Sequence, residues 1–309
     1  MHQYSDEIIE NYMVRKSKKQ KRRFIERVEE MLDKEGYQVD IEKGGILASK
    51  NIVVGDVKKA KVIMTAHYDT CALCPFPNIV TPRNILAYVI YQFFLIFLFF
   101  AVSLVIGLSV AFITGNTEIG KIVTILSIIG LCVQIMIGFP NKNTYNDNTS
   151  GVVTLIEIAM KLPEEYREKL AFVFFDNEEL GLVGSRVFYK KHHREIKDKL
   201  VINLDCVSDG DHMLVIANRS ARKDQEIYGK LKEILSSTDE KEVRHVTSGT
   251  TFYPSDQMHF KKSIAISGMR KAPIIGYYVA RLHTPFDTKF DKRNISLLKD
   301  TLVKFVCEI

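Results

Sequence analysis

The hydrophobic pattern changes character along the chain. In "QKRRFIERVEEMLDKEGY", Phe24, Ile25, Val28, Met31 and Leu32 recur at helical spacing and stop near Gly36, which predicts an amphipathic helix packed on a core. "ILASKNIVVGD" and "AKVIMTAHYDT" predict strands, the second an unbroken apolar run suited to the centre of a sheet. Two long uncharged runs follow, Ile85 to Ile113 (29 residues) and Ile122 to Phe139 (18 residues). Beyond them the pattern alternates again. "GVVTLIEIAMKL", "GSRVFYKKHHREI", "DQEIYGKLKEILSS" and "ISLLKDTLVKFVCEI" predict helices, and "LAFVFFDNEE", "LVINLDCVS" and "SIAISG" predict strands. Such alternation implies an α/β fold, a mostly parallel mixed sheet with helices on both faces. Ligand sites in such sheets form at the carboxyl ends of strands.

A helix needs about 20 apolar residues to cross a bilayer. The two uncharged runs, joined by the polar "TGNTEIGK", therefore predict an inserted two-helix transmembrane hairpin whose outer ends return to one side. A pair of buried core helices is the alternative, but a charge-free run of 29 residues exceeds what a soluble core usually holds. Residues 1–83 and 140–309 are then one unit, interrupted by an insertion at 84–139. Arg83 and Lys142 flank the outer ends and Lys121 alone sits in the turn, so the rest of the chain is expected on the cytoplasmic side.

Composition sharpens this division. The chain is 46% apolar, yet between Asn84 and Phe139 only Glu118 and Lys121 carry charge. The net charge of +6 traces largely to "VRKSKKQKRR", Val14 to Arg23, which reads either as a solvated helix face or as a contact with an anionic membrane surface. No nucleic-acid-binding motif accompanies it. Five cysteines form no disulfide-framework pattern, and "MHQYSDEIIENYM" lacks the uncharged core of a secretory signal, so reduced intracellular thiols are expected. Cys71 and Cys74, in "CALC", have no second such pair to complete a four-thiolate zinc site and read as structural or incidental. Oligomeric state leaves no mark on the sequence.

Three polar clusters directly follow predicted buried strands: His67 and Asp69 after "KVIMTA", Glu178 and Glu179 after "AFVFFDN", and Asp205 after "LVINL". Asp147 in "YNDNTSG" and His283 in "RLHTPFDT" lie in loop-like sequence. Singly, each has an ordinary structural explanation. Together they offer two imidazoles, three carboxylates and a spare glutamate, the inventory for two hydrolytic zinc ions, and a set without thiolates suits catalysis better than structure.

In order, "AHYDT", "YNDNTSG", "DNEELGLVGS", "NLDCVSDG" and "LHTPFDT" resemble the five motifs of the zinc aminopeptidase family numbered twenty-eight among metallopeptidases, the leucyl aminopeptidase and aminopeptidase Y type. The resemblance spans nearly all of the chain except the hydrophobic insertion. It implies a zinc-exopeptidase fold with two zinc ions, one held by His67 and Asp205, the other by Glu179 and His283, with Asp147 bridging. It also implies that Glu178 is the general base, that Asp69 orients His67, and that peptides are hydrolysed from their amino terminus. Asp256 and Asp287 are implied as supporting carboxylates. Leu282 stands where some members place a tyrosine that donates to the tetrahedral intermediate, leaving Tyr253 as a substitute donor, and "SDQ" replaces a frequent "SDH". Related alternatives are a single-zinc glutaminyl cyclase and a non-catalytic membrane scaffold on the same fold.

Overall fold

The computed structural model describes residues 1–309. Two helices open the chain, α1 (Gln3–Asn11) and α2 (Lys18–Lys34), the latter begun by a reciprocal capping box between Ser17 and Gln20. Strands β1 (Val39–Gly44), β2 (Ser49–Val54), β3 (Val62–His67) and β4 (Asn78–Val80) precede the long helices α3 (Ile85–Thr114) and α4 (Thr117–Ile137). Then come α5 (Ser150–Lys161), β5 (Leu170–Phe175), α6 (Val183–Ile196), β6 (Leu200–Leu204), β7 (His212–Ala217), α7 (Arg219–Lys223), α8 (Gln225–Ile234), β8 (Glu242–Thr247), β9 (Ser263–Ala272), β10 (Gly276–Leu282) and α9 (Lys292–Glu308).

The ten strands form one mixed sheet in the order β1-β2-β5-β3-β6-β9-β10-β4, with β7 pairing β9 and β8. Its centre, β5-β3-β6-β9, is parallel, while β1, β2, β10 and β4 pair antiparallel toward the edges. Because side chains alternate across a strand, Val62, Met64, Phe172, Phe174 and Ile202 point to one face and Ile63, Val173, Phe175 and Val201 to the other. The first face carries 43 buried apolar residues, including those of α1, α2, α5, α8 and α9; the second carries 11, closed chiefly by α6. Helices thus cover both faces, as the alternation predicts.

Helices α3 and α4 form an antiparallel pair, each long and apolar enough to cross a membrane. At 1.5 Å per residue their 30 and 21 residues reach about 45 and 32 Å, against about 30 Å of bilayer hydrocarbon. The turn is tighter than "TGNTEIGK" suggests: Gly115, at φ 66°, ends α3 in the left-handed region, and Asn116 caps α4 with its side-chain oxygen. Gly107 and Ala111 on α3 meet Gly120 and Thr124 on α4, Ser103 is buried one turn before Gly107, and a Cβ on Gly107 would stand 1.9 Å from Thr124 Oγ1 and 2.6 Å from the Gly120 carbonyl. Small residues let the two backbones touch. Outside this seam the surfaces are bare hydrocarbon, with Phe93, Phe97, Leu108 and Phe112 all exposed.

Both feet of the pair are tied to the sheet unit. Gln92 donates to Asn78 and Tyr91 to the Pro77 carbonyl at one foot; at the other, Gln134 donates to the Leu73 carbonyl and Ala72 bridges Pro140. The basic run is not one solvated face. Arg15 is fully buried, Lys21 pairs with Asp176 at 2.6 Å, and Lys16 donates to the Met136 carbonyl at the end of α4, leaving Lys18, Lys19, Arg22 and Arg23 exposed.

Candidate metal centre

Strands β5, β3 and β6 are parallel neighbours, so their carboxyl ends lie side by side. Chain direction therefore delivers Glu178 and Glu179, then His67 and Asp69, then Asp205 to one rim of the sheet. Asp147 arrives from the irregular turn Tyr145–Thr149 that leads into α5, and His283 directly follows β10 at φ 61°.

All the sequence-derived donors meet there. His67 Nε2 lies 3.3 Å from Asp147 Oδ1 and 3.7 Å from Asp205 Oδ1. His283 Nε2 lies 3.2 Å from Asp147 Oδ2 and 3.2 Å from Glu179 Oε2. The two oxygens of Asp147 thus face two different imidazoles. Glu178 clusters with His67 and Asp205, its carboxylate on that side of the centre.

Each ligand segment is held from behind. Asp69 accepts the Glu178 amide at 2.9 Å and the Glu179 amide at 3.3 Å, fixing the turn that carries the two adjacent glutamates. His67 Nδ1 is closer to the Asp69 backbone carbonyl, 3.1 Å, than to its carboxylate, 3.6 Å. The carbonyl therefore sets the imidazole tautomer, while the carboxylate organises the glutamates. Asp287 accepts the Asn146 and Asp147 amides, both at 3.0 Å. Tyr253 directs its hydroxyl to the Asp205 carbonyl and takes a hydrogen bond from Ser267, so it braces Asp205. Asp256 is wholly buried with neither oxygen hydrogen-bonded.

Three further residues escaped the sequence reading. Asn146 Oδ1 accepts from Ser208 and from the amide of Asp209, and Asn148 Oδ1 accepts the amides of Gly151 and Cys206, so the asparagines flanking Asp147 stitch its turn to the end of β6. Their signal was the polar run "YNDNTSG" itself. Arg15 donates to the carbonyls of Tyr68 and Tyr12 and to Thr149 Oγ1, joining the loop after β3 to the turn of Asp147. A run of basic residues gave no hint that its second member is buried.

The electrostatics call for cations. Burial pushes the pKa of Glu178 well above the ordinary carboxylate range, with Glu179 adding like charge, and burial raises Asp256 and Asp287 to about 7. Burial should hold His67 and His283 neutral, yet the surrounding carboxylates prevail and raise both well above 6.5. Glu179 Oε1 and Asp205 Oδ1 are buried without any hydrogen-bond partner. An orphaned carboxylate oxygen is costly, and imidazole with carboxylate is a donor set that suits zinc. The residues fit a divalent metal on these grounds.

No curated protein matches the chain at a significant level. Among solved structures, the LapA aminopeptidase of Legionella pneumophila is similar over 99% of this chain and 68% of its own, at 14% identity and a TM-score of 0.56. Glutaminyl cyclases of Porphyromonas gingivalis (14% identity, 99% of this chain, 95% of that one, TM-score 0.60) and Fimbriiglobus ruber (13%, 98%, 93%, 0.56) share the fold equally well. At such identities the likeness is one of fold. The model of peptidase family M28 matches residues 138–306, more than half of the sequence, including Asp147, Glu178, Glu179, Asp205 and His283. On that match the chain belongs to peptidase family M28.

Proposed function

We propose that this protein is a membrane-anchored di-zinc aminopeptidase that removes amino-terminal residues from peptides. Residues 1–83 and 140–309 form its catalytic unit, 84–139 its transmembrane anchor, and the catalytic unit faces the cytoplasm. His67 and Asp205 would hold one zinc, Glu179 and His283 the other, and Asp147 would be shared between them. The observation that carries the two-metal reading is the placement of Asp147, with one oxygen 3.3 Å from His67 and the other 3.2 Å from His283.

When bound, zinc polarises the scissile carbonyl and acidifies water. Glu178, gathered with His67 and Asp205, takes the proton of the attacking water and returns it to the leaving amine. Asp69 keeps Glu178 and Glu179 aimed differently through their amides. A cavity of about 340 Å³ opens beside Asp69 and Glu179 and is walled by Lys16, Lys21, Met136 and Gly138, the last two at the foot of α4. Peptide entering there passes close to the hairpin's base, which favours substrates at the membrane surface. The exposed phenylalanines and leucines of the hairpin support lipid contact.

A second reading, cyclisation of amino-terminal glutamine with one zinc, draws support from the fold shared with glutaminyl cyclases over nearly their whole length. Detergent-purified full-length protein, assayed on an aminoacyl panel with zinc quantified, separates the two. Two zinc ions per chain, release of amino-terminal residues, and a Glu178→Gln variant that keeps its zinc but loses turnover are expected. One zinc per chain with cyclisation of glutamine would replace this reading, and wild type as inert as Glu178→Gln would make the protein a scaffold.

A further inference from the structure

The loop after β3 carries a thiol that the ligand set leaves out. Cys71 is 2% exposed, and its sulfur, a Glu179 carboxylate oxygen and a His283 ring nitrogen lie within 4.8 Å of one another. The side chain of Glu179 is 9% exposed, and its Oε1 has no hydrogen-bond partner. Tetrahedral zinc, with bonds of about 2.0–2.3 Å, spaces its ligand atoms roughly 3.3–3.8 Å apart, inside that envelope.

Cys206 also lies near metal-binding oxygens, those of Asp147 and Asp205, but its side chain is counted in an apolar cluster with Leu214, Tyr253 and Ala265. Cys71 belongs to no apolar cluster. Its loop is also fixed against the other ligand. The Cys74 amide donates to the His283 carbonyl at 2.7 Å, the Leu73 amide to Phe139 at 2.8 Å, and the Asn141 amide to the Cys71 carbonyl at 3.2 Å. These bonds hold the thiol and the imidazole as one assembly.

We propose that the Cys71 thiolate is a further protein ligand of the metal held by Glu179 and His283. The inference rests on the two-metal reading above. On binding, the S–H bond is exchanged for a sulfur–metal bond and the proton passes to solvent. The two ions then differ in kind. The ion at Cys71 would carry a thiolate, whereas the ion at His67 and Asp205 would have no sulfur ligand and would keep the open position that catalysis needs. Glu178 stands on the open side, with His67 and Asp205.

The test is stepwise loading of the metal-free full-length protein in detergent with cobalt(II), following metal content and near-ultraviolet absorption. Uptake of two cobalt ions per chain with a sulfur-to-cobalt charge-transfer band is expected. The band should vanish in Cys71→Ser, which still binds cobalt, and persist in Cys74→Ser and Cys206→Ser. X-ray absorption of the zinc-loaded wild type should show sulfur at about 2.3 Å, a readout that needs no variant. Two bound ions without sulfur ligation, or a band that survives Cys71→Ser, overturns the proposal while leaving the two-metal reading intact. Binding of fewer than two ions overturns both.

Discussion

Replacing Asp69 with asparagine separates two jobs that one residue performs. The Asp69 carbonyl, 3.1 Å from His67 Nδ1, survives the change, so the His67 tautomer should be preserved. The carboxylate does not survive. Of its two bonds, 2.9 Å to the Glu178 amide and 3.3 Å to the Glu179 amide, an asparagine oxygen can keep one, while its NH2 group turns a donor toward the other donor. Loss of one buried charge-assisted bond costs about 1.5–3 kcal/mol, or about 10–100-fold at 1.36 kcal/mol per decade. The 10–100-fold effect typical of groups that orient metal ligands has the same size. On the proposed two-metal reading, chelator-competition titration should therefore show an ion at Glu179 and His283 weakened by that factor and an ion at His67 and Asp205 affected less, with kcat lowered through Glu178. A change below threefold in both metal affinities and in kcat would refute this account of Asp69, as would selective loss of the His67 ion.

Gly107→Val should destabilise the hairpin by about 1–3 kcal/mol, because its Cβ meets Thr124 Oγ1 at 1.9 Å, whereas Gly130→Val, with nothing within 4 Å, should leave thermal unfolding in detergent unchanged. Phe172→Ala, at the 1% exposed centre of β5, should cost about 3–5 kcal/mol, read as a fall in thermal or denaturant midpoint. Burial alone would lower the pKa of His192, but its hydrogen bonds to Glu42 and Glu195 prevail and raise it above 6.5. Its contribution to stability is therefore complete below 6.5 and lost as pH rises through the elevated folded value; His192→Gln should flatten the stability profile in that window.

Most of the candidate site could be read from the sequence because its polar residues follow strands that advertise themselves. β3, β5 and β6 are buried on both faces and so appear as unbroken apolar runs, each ended by acid or imidazole. The antiparallel and outer strands had no such signature. β1, "VDIEKG", and β8, "EVRHVT", lie at the sheet margin with no residue fully buried, and β10, "GYYVARL", alternates weakly. β7, "HMLVIA", by contrast is buried and carries an apolar run as long as that of β6, so it was legible as a strand. Within "ILASKNIVVGD" the strand begins only at Ser49; Ile46 and Leu47 are exposed in a turn. Helix α1 is polar and was passed over, although Ile8 is fully buried. Arg15 was illegible for a different reason: the carbonyls that receive its guanidinium come from elements distant in sequence or from loops without pattern.

The pairing of α3 with α4 also bears on the order in which the protein can assemble. His67 and Asp147 lie 80 positions apart, and closing so long a loop must precede any shared metal. Once the 53 residues of the hairpin, Ile85 to Ile137, have zipped along their small-residue seam, only about 27 residues of the connection stay flexible. By the logarithmic dependence of loop entropy on length, this eases closure by about 1 kcal/mol. Before the hairpin forms, bringing Asp147 to His67 therefore carries that extra cost.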